Sequence, residues 1–221
     1  MKNVHGWYLP DDDVHFTEYL EGLHKAGQPV QYQKAQRDAA VSYCKDFRTA
    51  IDVGAHVGLW SGPLEDVFSV IHAFEPYNQF HHILEKNAPH SIIHNYALSD
   101  QDGTARIIVN KDNSGIAYIE ECKYPDEGPI PMAMLDSFNI ERVDLIKIDC
   151  EGYELPVLKG AGATIAHNRP VIIVEQKPKK SETYGWGQYD AIEYLIKTHN
   201  YRIIDRVIDD WILIPYTRGG K

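Results

Sequence analysis

The segment Thr49–Gly62, TAIDVGAHVGLWSG, decides the fold of this chain. A short run rich in β-branched residues contains Asp52 and is followed by two glycines, Gly54 and Gly58. Such runs, when they stop at glycine, are typical of a buried strand that enters a turn. Gly54 can adopt a positive φ angle and leaves the backbone bare, so that a ligand or a helix can approach closely. The segment therefore predicts a strand, a turn and a helix, with an acid near the strand tip.

Strand-like and helix-like segments alternate along most of the remaining chain. Apolar runs typical of strands are VIHAFEP (70–76), SIIHNYAL (91–98), VDLIKID (143–149) and PVIIVEQ (170–176). This alternation predicts a parallel sheet with helices on both faces, that is, a doubly wound α/β fold. The segment YRIIDRVIDDWILIPY (201–216) predicts a closing hairpin that adds an antiparallel strand near one edge. In such sheets, ligands bind beyond the carboxyl ends of the strands.

Helices are predicted from the spacing of apolar residues and from glycine or asparagine at the helix ends. Helices are predicted within residues 35–47, within 59–68, after a capping Asn78, within 154–168 with a break near Gly160–Gly162, and within 190–200. Residues 105–109 and 116–120 predict a hairpin around Asp112–Gly115, and 124–131 predict a loop. Residues before about Gln33 show no clear period. The aromatic segment 184–189 is either a substrate lid or a loop that fills the edge of the core.

The composition of the chain argues against some classes of binding partner. The 221 residues carry a formal net charge of −10, which repels nucleic acid on average, and no long basic run offsets it. The three cysteines are far apart and lack metal-ligand spacing, so that we expect reduced thiols in a cytoplasmic protein. No apolar run is long enough for a membrane span. We therefore expect neither a nucleic acid nor a membrane partner, and the oligomeric state is not indicated.

Glu75 ends the strand-like run that follows the glycine turn. In dinucleotide-binding folds, an acid at the tip of the second strand binds the hydroxyls of a ribose. The alternative is a helix-capping or solvated carboxylate, and the glycine turn favours ribose binding. Asp52 separates two cofactor classes, because a pyrophosphate disfavours a nearby carboxylate whereas the sulfonium and ammonium of S-adenosylmethionine suit one. The residues thus favour a methyl donor over NAD.

Six segments occur in the order found in the FkbM family of S-adenosylmethionine-dependent methyltransferases, and the chain resembles that family. They are AIDVGAHVGLWS (50–61), AFEP (73–76), NYALSDQDG (95–103), LDSF (135–138), DLIKIDCEGYELPVLKGA (144–161) and PVIIVEQ (170–176). The resemblance implies a Rossmann-like methyltransferase fold, a doubly wound and mostly parallel seven-stranded α/β sheet with a C-terminal antiparallel hairpin. We expect a single methyltransferase domain over residues 1–221, with an N-terminal extension and helix (1–48) and a catalytic core (49–221).

The resemblance also implies a set of cofactor-binding residues. These are Asp52, Gly54, Ala55, His56, Gly58, Glu75, Asn95, Ala97 and Asp149. In the family, the residues of the glycine turn would line the methionine part and Glu75 would hold the ribose. Asn95 and Ala97 would flank the adenine, and Asp149 would face both donor and acceptor. His56 stands where family members often carry Asn.

The segment IKIDCEG (146–152) carries the remaining chemistry. Lys147 and Asp149 share one face of a strand, and a buried lysine needs a partner, for which Asp149 or Glu151 is the predicted candidate. Asp149, Glu151 and Glu175 are the candidate catalytic bases for deprotonating an alcohol. Two neighbouring acids could bind a divalent cation but are too few to claim a site, so no metal is predicted.

The expected activity is methyl transfer from S-adenosylmethionine to a hydroxyl oxygen of a saccharide or related small molecule, which is what the resemblance implies. One alternative is a nicotinamide-dependent oxidoreductase, which the missing third glycine of GxGxxG disfavours. The other is a non-catalytic binding protein with a vestigial cofactor pocket. The intact acids at Asp52, Glu75 and Asp149 count against such decay.

Overall fold

The computed structural model describes residues 1–109, 117–121 and 130–216. Thirteen strands lie within these ranges. They are β1 (Lys2–Val4), β2 (Trp7–Leu9), β3 (Thr49–Val53), β4 (Val70–Phe74), β5 (Ile92–His94), β6 (Ala97–Leu98), β7 (Gly103–Val109), β8 (Ala117–Glu121), β9 (Ile130–Ala133), β10 (Val143–Ile148), β11 (Val171–Glu175), β12 (Tyr201–Val207) and β13 (Asp210–Pro215). The α-helices within the same ranges are α1 (His15–Lys25), α2 (Lys34–Ser42), α3 (Ser61–Glu65), α4 (His81–Asn87), α5 (Glu154–Lys159), α6 (Gly162–Asn168) and α7 (Asp190–His199).

A seven-stranded sheet forms the centre of the protein, in the order β12-β13-β11-β10-β3-β4-β5. The contiguous strands β11, β10, β3, β4 and β5 pair in parallel, and β13 pairs antiparallel with both β11 and β12. The predicted α/β sheet, mostly parallel and closed by an antiparallel hairpin, is confirmed. Chain order reverses between β3 and β10, which makes this pair the switch point where such folds bind ligands.

Helices cover both faces of this sheet, because alternate residues of each strand point to opposite sides. On one face, Ile51 and Ile146 belong to a cluster with residues of α5, α6 and α7. On the other face, Ala50 and Leu145 pack with residues of α2 and α3. The strands of the switch point are therefore buried on both sides, as their continuous apolar runs predict.

A second sheet, in the order β6-β9-β7-β8, carries the largest departure from the predicted elements. The predicted strand 91–98 is split, since β5 ends at His94 and Ala97–Leu98 pairs with β9 in the second sheet. The predicted loop 124–131 is wrong at its end, where Ile130 and Pro131 belong to β9. The pairing of β7 with β8 is confirmed, whereas their predicted turn at Asp112–Gly115 lies outside the described residues.

The N-terminal residues, for which no period was found, form the β1–β2 hairpin and α1. They pack on the residues after the glycine turn and on α4 in one apolar cluster. The side chain of Asn87 fastens this hairpin to the core. Its Oδ1 accepts a hydrogen bond from Tyr8 N at 2.9 Å, and its Nδ2 donates to Tyr8 O at 2.8 Å and Val57 O at 2.7 Å. A partly buried amide that meets three backbone groups fixes the hairpin in one orientation.

The other helices follow the sequence with two differences. The predicted break is confirmed, because α5 ends at Lys159 and α6 begins at Gly162. Asn78 does not cap α4 but begins a short 3₁₀ turn, Asn78–Phe80, that leads into the helix without a side-chain cap. The helix predicted within 59–68 is only Ser61–Glu65. Among the described residues, no helix combines the length and the apolar character needed to cross a membrane.

Gly160 offers a test of how tightly the α5–α6 break packs against the second sheet. A Cβ at this position would lie 1.9 Å from the backbone oxygen of Ser99, so that Gly160→Ala forces two backbone segments apart. We expect the free energy of unfolding, measured with urea, to fall by about 2 kcal/mol or more. Gly22→Ala is the control, because its Cβ meets open space on α1 and the change should stabilise by up to about 1 kcal/mol. Equal effects of the two substitutions would contradict this packing.

Candidate active site

A cavity of about 450 Å³ opens at the carboxyl ends of the central parallel strands. It lies over the switch point, with walls from the tips of β3, β4, β10 and β11. Residues of the second sheet and of the N-terminal segment also line it. The cavity is therefore placed where the topology predicts a ligand site.

Gly54 brings the tips of β3 and β10 together. Its φ is +75°, and a Cβ there would lie only 2.0 Å from the backbone oxygen of Asp149. The backbone amides of Gly54 and Ala55 both donate to Phe74 O, at 3.0 and 3.1 Å, so that the turn is also fastened to β4. Gly54 and Ala55 line the cavity, as predicted for residues that approach a ligand.

Glu75 stands at the end of β4 with its carboxylate buried in the cavity wall. Oε2 accepts a hydrogen bond from His56 N at 2.8 Å, and Oε1 accepts one from Tyr77 N at 2.8 Å. Burial raises the pKa of Glu75 to about 7, although these two amides oppose the rise. Because each carboxylate oxygen has about two lone-pair sites, both can accept a further hydrogen bond from a hydroxyl.

Asp52 does not line the cavity. It is fully buried, accepts a hydrogen bond from Ser61 Oγ at 2.7 Å and forms an ion pair of 3.0 Å with Lys147 Nζ. The ammonium of Lys147 also donates to Gly54 O at 3.0 Å. Burial acts to lower the pKa of Lys147, but the charges of Asp52 and Asp149 outweigh it and hold that pKa above its usual range. The pair thus supports the glycine turn from beneath.

The predicted partner of Lys147 was therefore wrong. Sequence alone indicated Asp149 or Glu151, but Lys147 and Asp52 are register partners on the neighbouring parallel strands β10 and β3. Register partners lie side by side on the same face of the sheet, whereas Asp149 lies beyond the end of its strand.

Three acids meet on the β10–β11 side of the cavity. One oxygen each of Asp149, Glu151 and Glu175 lies within 4.8 Å of the others. Burial, followed by the charge of Asp149, raises the pKa of Glu175 to about 9. The pKa of Asp149 is below its usual range, because Lys147, Lys177 and a hydrogen bond with Glu175 outweigh the effect of burial. At neutral pH the pair therefore holds one proton, with Asp149 ionised and Glu175 neutral.

Two lysines balance the charge of this acid cluster. Lys177 Nζ lies 2.7 Å from Glu175 Oε2 and 3.5 Å from Glu151 Oε1, and Lys180 Nζ lies 2.5 Å from Glu151 Oε2. The carboxylates have the oxygen ligands that a divalent cation prefers. The lysines already compensate the ionised Asp149 and Glu151, so that this corner of the cavity is close to neutral overall.

Glu154 braces the turn that carries Glu151, a role that the sequence did not reveal. Its Oε1 accepts hydrogen bonds from Cys150 N at 3.1 Å and from Gly152 N at 2.9 Å. Gly152 has a φ of +105°, and a Cβ there would lie 2.5 Å from the backbone carbonyl of Lys180. The turn after β10 is thus held against the segment that supplies the two lysines.

Only some of the predicted cofactor residues line the cavity. Those that line the cavity are Gly54, Ala55, His56, Glu75, Ala97 and Asp149, together with the candidate bases Glu151 and Glu175. Asp52, Gly58 and Asn95 do not. Gly58 is a packing residue, because a Cβ there would lie 2.7 Å from Leu84 Cδ1. Asn95 is exposed, and its neighbour Tyr96 lines the cavity instead.

The aromatic segment 184–189 does not line the cavity either. The ring of Tyr184 packs on Tyr153 at 5.1 Å, and the ammonium of Lys159 lies 5.3 Å from the ring of Trp186. Both aromatic residues pack against the main core cluster. Of the two interpretations of this segment, the structure favours a loop that fills the edge of the core.

A wall of the cavity that the sequence did not predict comes from the N-terminal segment. His15, Phe16, Tyr32 and Gln33 line the cavity together with the strand tips. The ring of Phe16 lies 5.2 Å from that of His56, so that this wall contacts the glycine turn. Residues before the first parallel strand were missed because they carry no recognisable motif or period.

Comparison with known proteins agrees with this architecture. Residues 52–203 match the model of the family described as the methyltransferase FkbM domain. The structure is similar to that of methyltransferase FkbM from Methylobacillus flagellatus KT, with a TM-score of 0.52 and 17% identity over 93% of this chain and 55% of that chain. The chain thus spans about half the length of that protein. No curated protein sequence matches the chain.

A second solved structure supports the fold alone. It is a TehB-like SAM-dependent methyltransferase from Corynebacterium glutamicum ATCC 13032 Kitasato, with a TM-score of 0.51 and 11% identity. The similarity covers 92% of this chain and 97% of that chain. At this level of identity, the comparison confirms the Rossmann-like architecture and leaves the chemistry to the residues of the cavity.

The buried ion pair generates a prediction for Asp52. Asp52→Asn leaves the ammonium of Lys147 buried without a full counter-charge, so that we expect the free energy of unfolding to fall by about 3–5 kcal/mol. Urea denaturation measures the loss, and adding Lys147→Met to the same chain should recover part of it. Asp38→Asn is the control, because it breaks an exposed ion pair with Lys34 and should cost less than about 1 kcal/mol. A loss at Asp52 no larger than this control would contradict the supporting role of the pair.

Proposed function

Because the chain belongs to the methyltransferase FkbM domain family, we propose that it transfers a methyl group from S-adenosylmethionine to a hydroxyl oxygen of a saccharide or related small molecule. The observation that carries the proposal is a single cavity lined both by the buried carboxylate of Glu75 and by the ionised Asp149. The first group suits a ribose and the second suits proton removal from an alcohol. A methyl donor and an acceptor need these two functions side by side.

The residues present fit S-adenosylmethionine. The carboxylate of Glu75 retains acceptor capacity on both oxygens, which suits the two ribose hydroxyls. Apolar side chains of Phe74, Phe80 and Leu98 line the same cavity and suit an adenine ring. When bound, this cofactor supplies an electrophilic methyl group on a sulfonium. Gly54, Ala55 and His56 would flank its methionine part, with Ala97 beside the adenine.

The acceptor is proposed to be uncharged and rich in hydroxyl groups. On the acid side of the cavity, the negative charges of Asp149 and Glu151 are balanced by Lys177 and Lys180, while Glu175 is neutral. Among these described groups, an anionic acceptor would meet the charges of Asp149 and Glu151, and a cationic acceptor would meet those of Lys177 and Lys180. In both cases the opposite charges are already paired. A saccharide hydroxyl can donate to a carboxylate and accept from an ammonium or a carboxylic acid, which matches this mixture of groups.

Asp149 is the proposed catalytic base. It is ionised at neutral pH, whereas Glu175 already carries a proton and Glu151 is ion-paired with two lysines. Asp149 takes the proton of the acceptor hydroxyl as that oxygen becomes a nucleophile. Glu175 holds Asp149 in its ionised form through their shared hydrogen bond, and Glu151 keeps the lysines in place. Most of the rate enhancement would come from positioning the acceptor and excluding water.

The two alternatives make different predictions. A nicotinamide-dependent oxidoreductase would bind NAD, and the family assignment argues against it. A non-catalytic protein with a vestigial pocket would bind the cofactor and transfer nothing. The experiments below separate cofactor binding from transfer.

Binding of S-adenosylhomocysteine tests the cofactor assignment. The compound should raise the melting temperature of the protein, and NAD should not. Glu75→Gln should weaken its affinity at least tenfold, because the variant loses charged acceptors for two hydroxyls. Glu85→Gln, an exposed substitution of the same kind on α4, should leave affinity unchanged. Unchanged affinity in the Glu75 variant would refute the ribose assignment.

The same measurement should depend on pH. Ribose hydroxyls bind the ionised form of Glu75, whose pKa is about 7 before the ligand enters. Affinity should therefore be fully present above pH 7 and weaken as the pH falls below it, approaching a tenfold loss per unit. Calorimetry on wild type and on Glu75→Gln tests whether Glu75 is the titrating group. The variant lacks the titrating carboxyl, so that its affinity for S-adenosylhomocysteine should depend less on pH.

Transfer of a labelled methyl group tests the reaction. With S-adenosylmethionine labelled on its methyl group, the protein should transfer label to the saccharide fraction of a cell extract. Asp149→Asn should lower this rate by about 10²–10⁴ through loss of the base, while affinity for S-adenosylhomocysteine changes far less. Asp100→Asn, at an exposed position, should transfer as wild type does. Label only on protein or nucleic acid would overturn the acceptor class, and full activity of Asp149→Asn would overturn the base.

A further inference from the structure

Tyr32 is a cavity residue that neither the family match nor the proposed chemistry uses. It precedes the matched residues 52–203 and lies on the N-terminal wall of the cavity. Within the part of the chain that the structure describes, its hydroxyl makes no hydrogen bond, and the side chain is partly buried. A phenol that lines a cavity with its donor and acceptor sites open can bind a polar ligand there.

The backbone around Tyr32 is fixed by a buried arginine. Arg37 is only 4% exposed, and its Nη1 donates to the carbonyl oxygen of Tyr32 at 3.1 Å. Its Nη2 donates to Gln31 Oε1 at 2.5 Å, so that one guanidinium holds two successive residues of the segment. A planar guanidinium that bridges two groups restricts the segment more than a single hydrogen bond would.

The ring of Tyr32 and the next residue, Gln33, are fixed as well. The rings of Phe16 and Tyr19 each form a T-shaped pair with the Tyr32 ring, with centroid distances of 5.1 and 5.2 Å. Gln33 has a φ of +45°, an unusual conformation for a residue other than glycine, and its Oε1 accepts a hydrogen bond from Trp60 Nε1 at 2.6 Å. Tyr32 is thus held in one position from several sides, which is the preorganisation that a ligand-positioning residue needs.

Tyr32 lines the same cavity as the acids of the β10–β11 side, and its hydroxyl remains protonated. Burial, followed by the negative charge of Asp149, raises the pKa of Tyr32 well above its usual value, and Lys177 and Glu175 also act on it. These groups line the β10–β11 side, whereas the proposed ribose carboxylate, Glu75, stands at the end of β4. The phenol therefore shares the cavity with the groups proposed to meet the acceptor.

We propose that the N-terminal wall forms the acceptor subsite and that Tyr32 is its positioning residue, donating its O–H to an oxygen of a neutral polyhydroxylated acceptor. This inference rests on the proposed function. The hydrogen bond orients the acceptor so that its reacting hydroxyl points at Asp149. Specificity for the acceptor then comes from a segment ahead of the family-matched region, while the cofactor is bound within that region.

The test compares Tyr32→Phe with Tyr19→Phe. Both substitutions remove one phenolic oxygen and keep the ring, but Tyr19 is an exposed neighbour that does not line the cavity. Label transfer is measured at saturating labelled S-adenosylmethionine while the concentration of the saccharide fraction is varied. Tyr32→Phe should lower transfer at limiting acceptor about tenfold, whereas Tyr19→Phe should match wild type. The KM for S-adenosylmethionine, the affinity for S-adenosylhomocysteine and the melting temperature should be the same in all three proteins.

The possible outcomes separate this inference from the proposed function. If wild type transfers label to saccharides and Tyr32→Phe transfers equally well, the subsite assignment is overturned and the proposed function stands. If Tyr32→Phe loses affinity for S-adenosylhomocysteine in parallel with transfer, the residue serves the cofactor and the assignment is again overturned. If wild type binds S-adenosylhomocysteine but transfers no label to saccharides, the proposed acceptor fails and the subsite fails with it.

Discussion

The ion pair between Asp52 and Lys147 is the interaction on which the rest of the site depends. It joins β3 to β10, the two strands between which chain order reverses, and both side chains are almost completely buried. The ammonium of Lys147 also holds the carbonyl of Gly54, so that the pair fixes the turn as well as the strand register. Two buried charges with these additional hydrogen bonds are costly to rearrange, which makes the strand tips a rigid base for the cavity.

The charge of Lys147 also affects the protonation of the acids that line the cavity. Lys147, together with Lys177, keeps Asp149 ionised, and the negative charge of Asp149 contributes, after burial, to keeping Glu175 protonated. Two carboxyl groups of almost the same intrinsic acidity are thus separated into a base and an acid by their surroundings. Glu151 forms ion pairs with both Lys177 and Lys180. Position relative to three lysines, rather than residue type, distinguishes the acids.

The sequence predicted the central sheet because four of its parallel strands, β3, β4, β10 and β11, are apolar runs that end at or next to a recognisable acid or glycine. It placed Glu75 and Asp149 correctly beside one cavity for the same reason, since the carboxyl ends of parallel strands share one edge. It failed for the partner of Lys147, because periodicity fixes the face of a side chain but not the register with a strand distant in sequence. It also failed for the N-terminal hairpin, whose strands of three residues are too short to show a period.

The family match covers the groups proposed to bind the cofactor but does not include Tyr32, the residue proposed to position the acceptor. Most of the groups proposed to bind the cofactor follow strand tips, where the fold itself determines their position, and all of them fall within the matched residues. Tyr32 is positioned by local contacts with Arg37, Phe16 and Tyr19, none of which the sheet requires. A segment free of the constraints of the sheet can change its side chains without disturbing the strands. Tyr32 therefore lies outside any strand-based motif, and only the packing of the N-terminal segment brings it to the cavity.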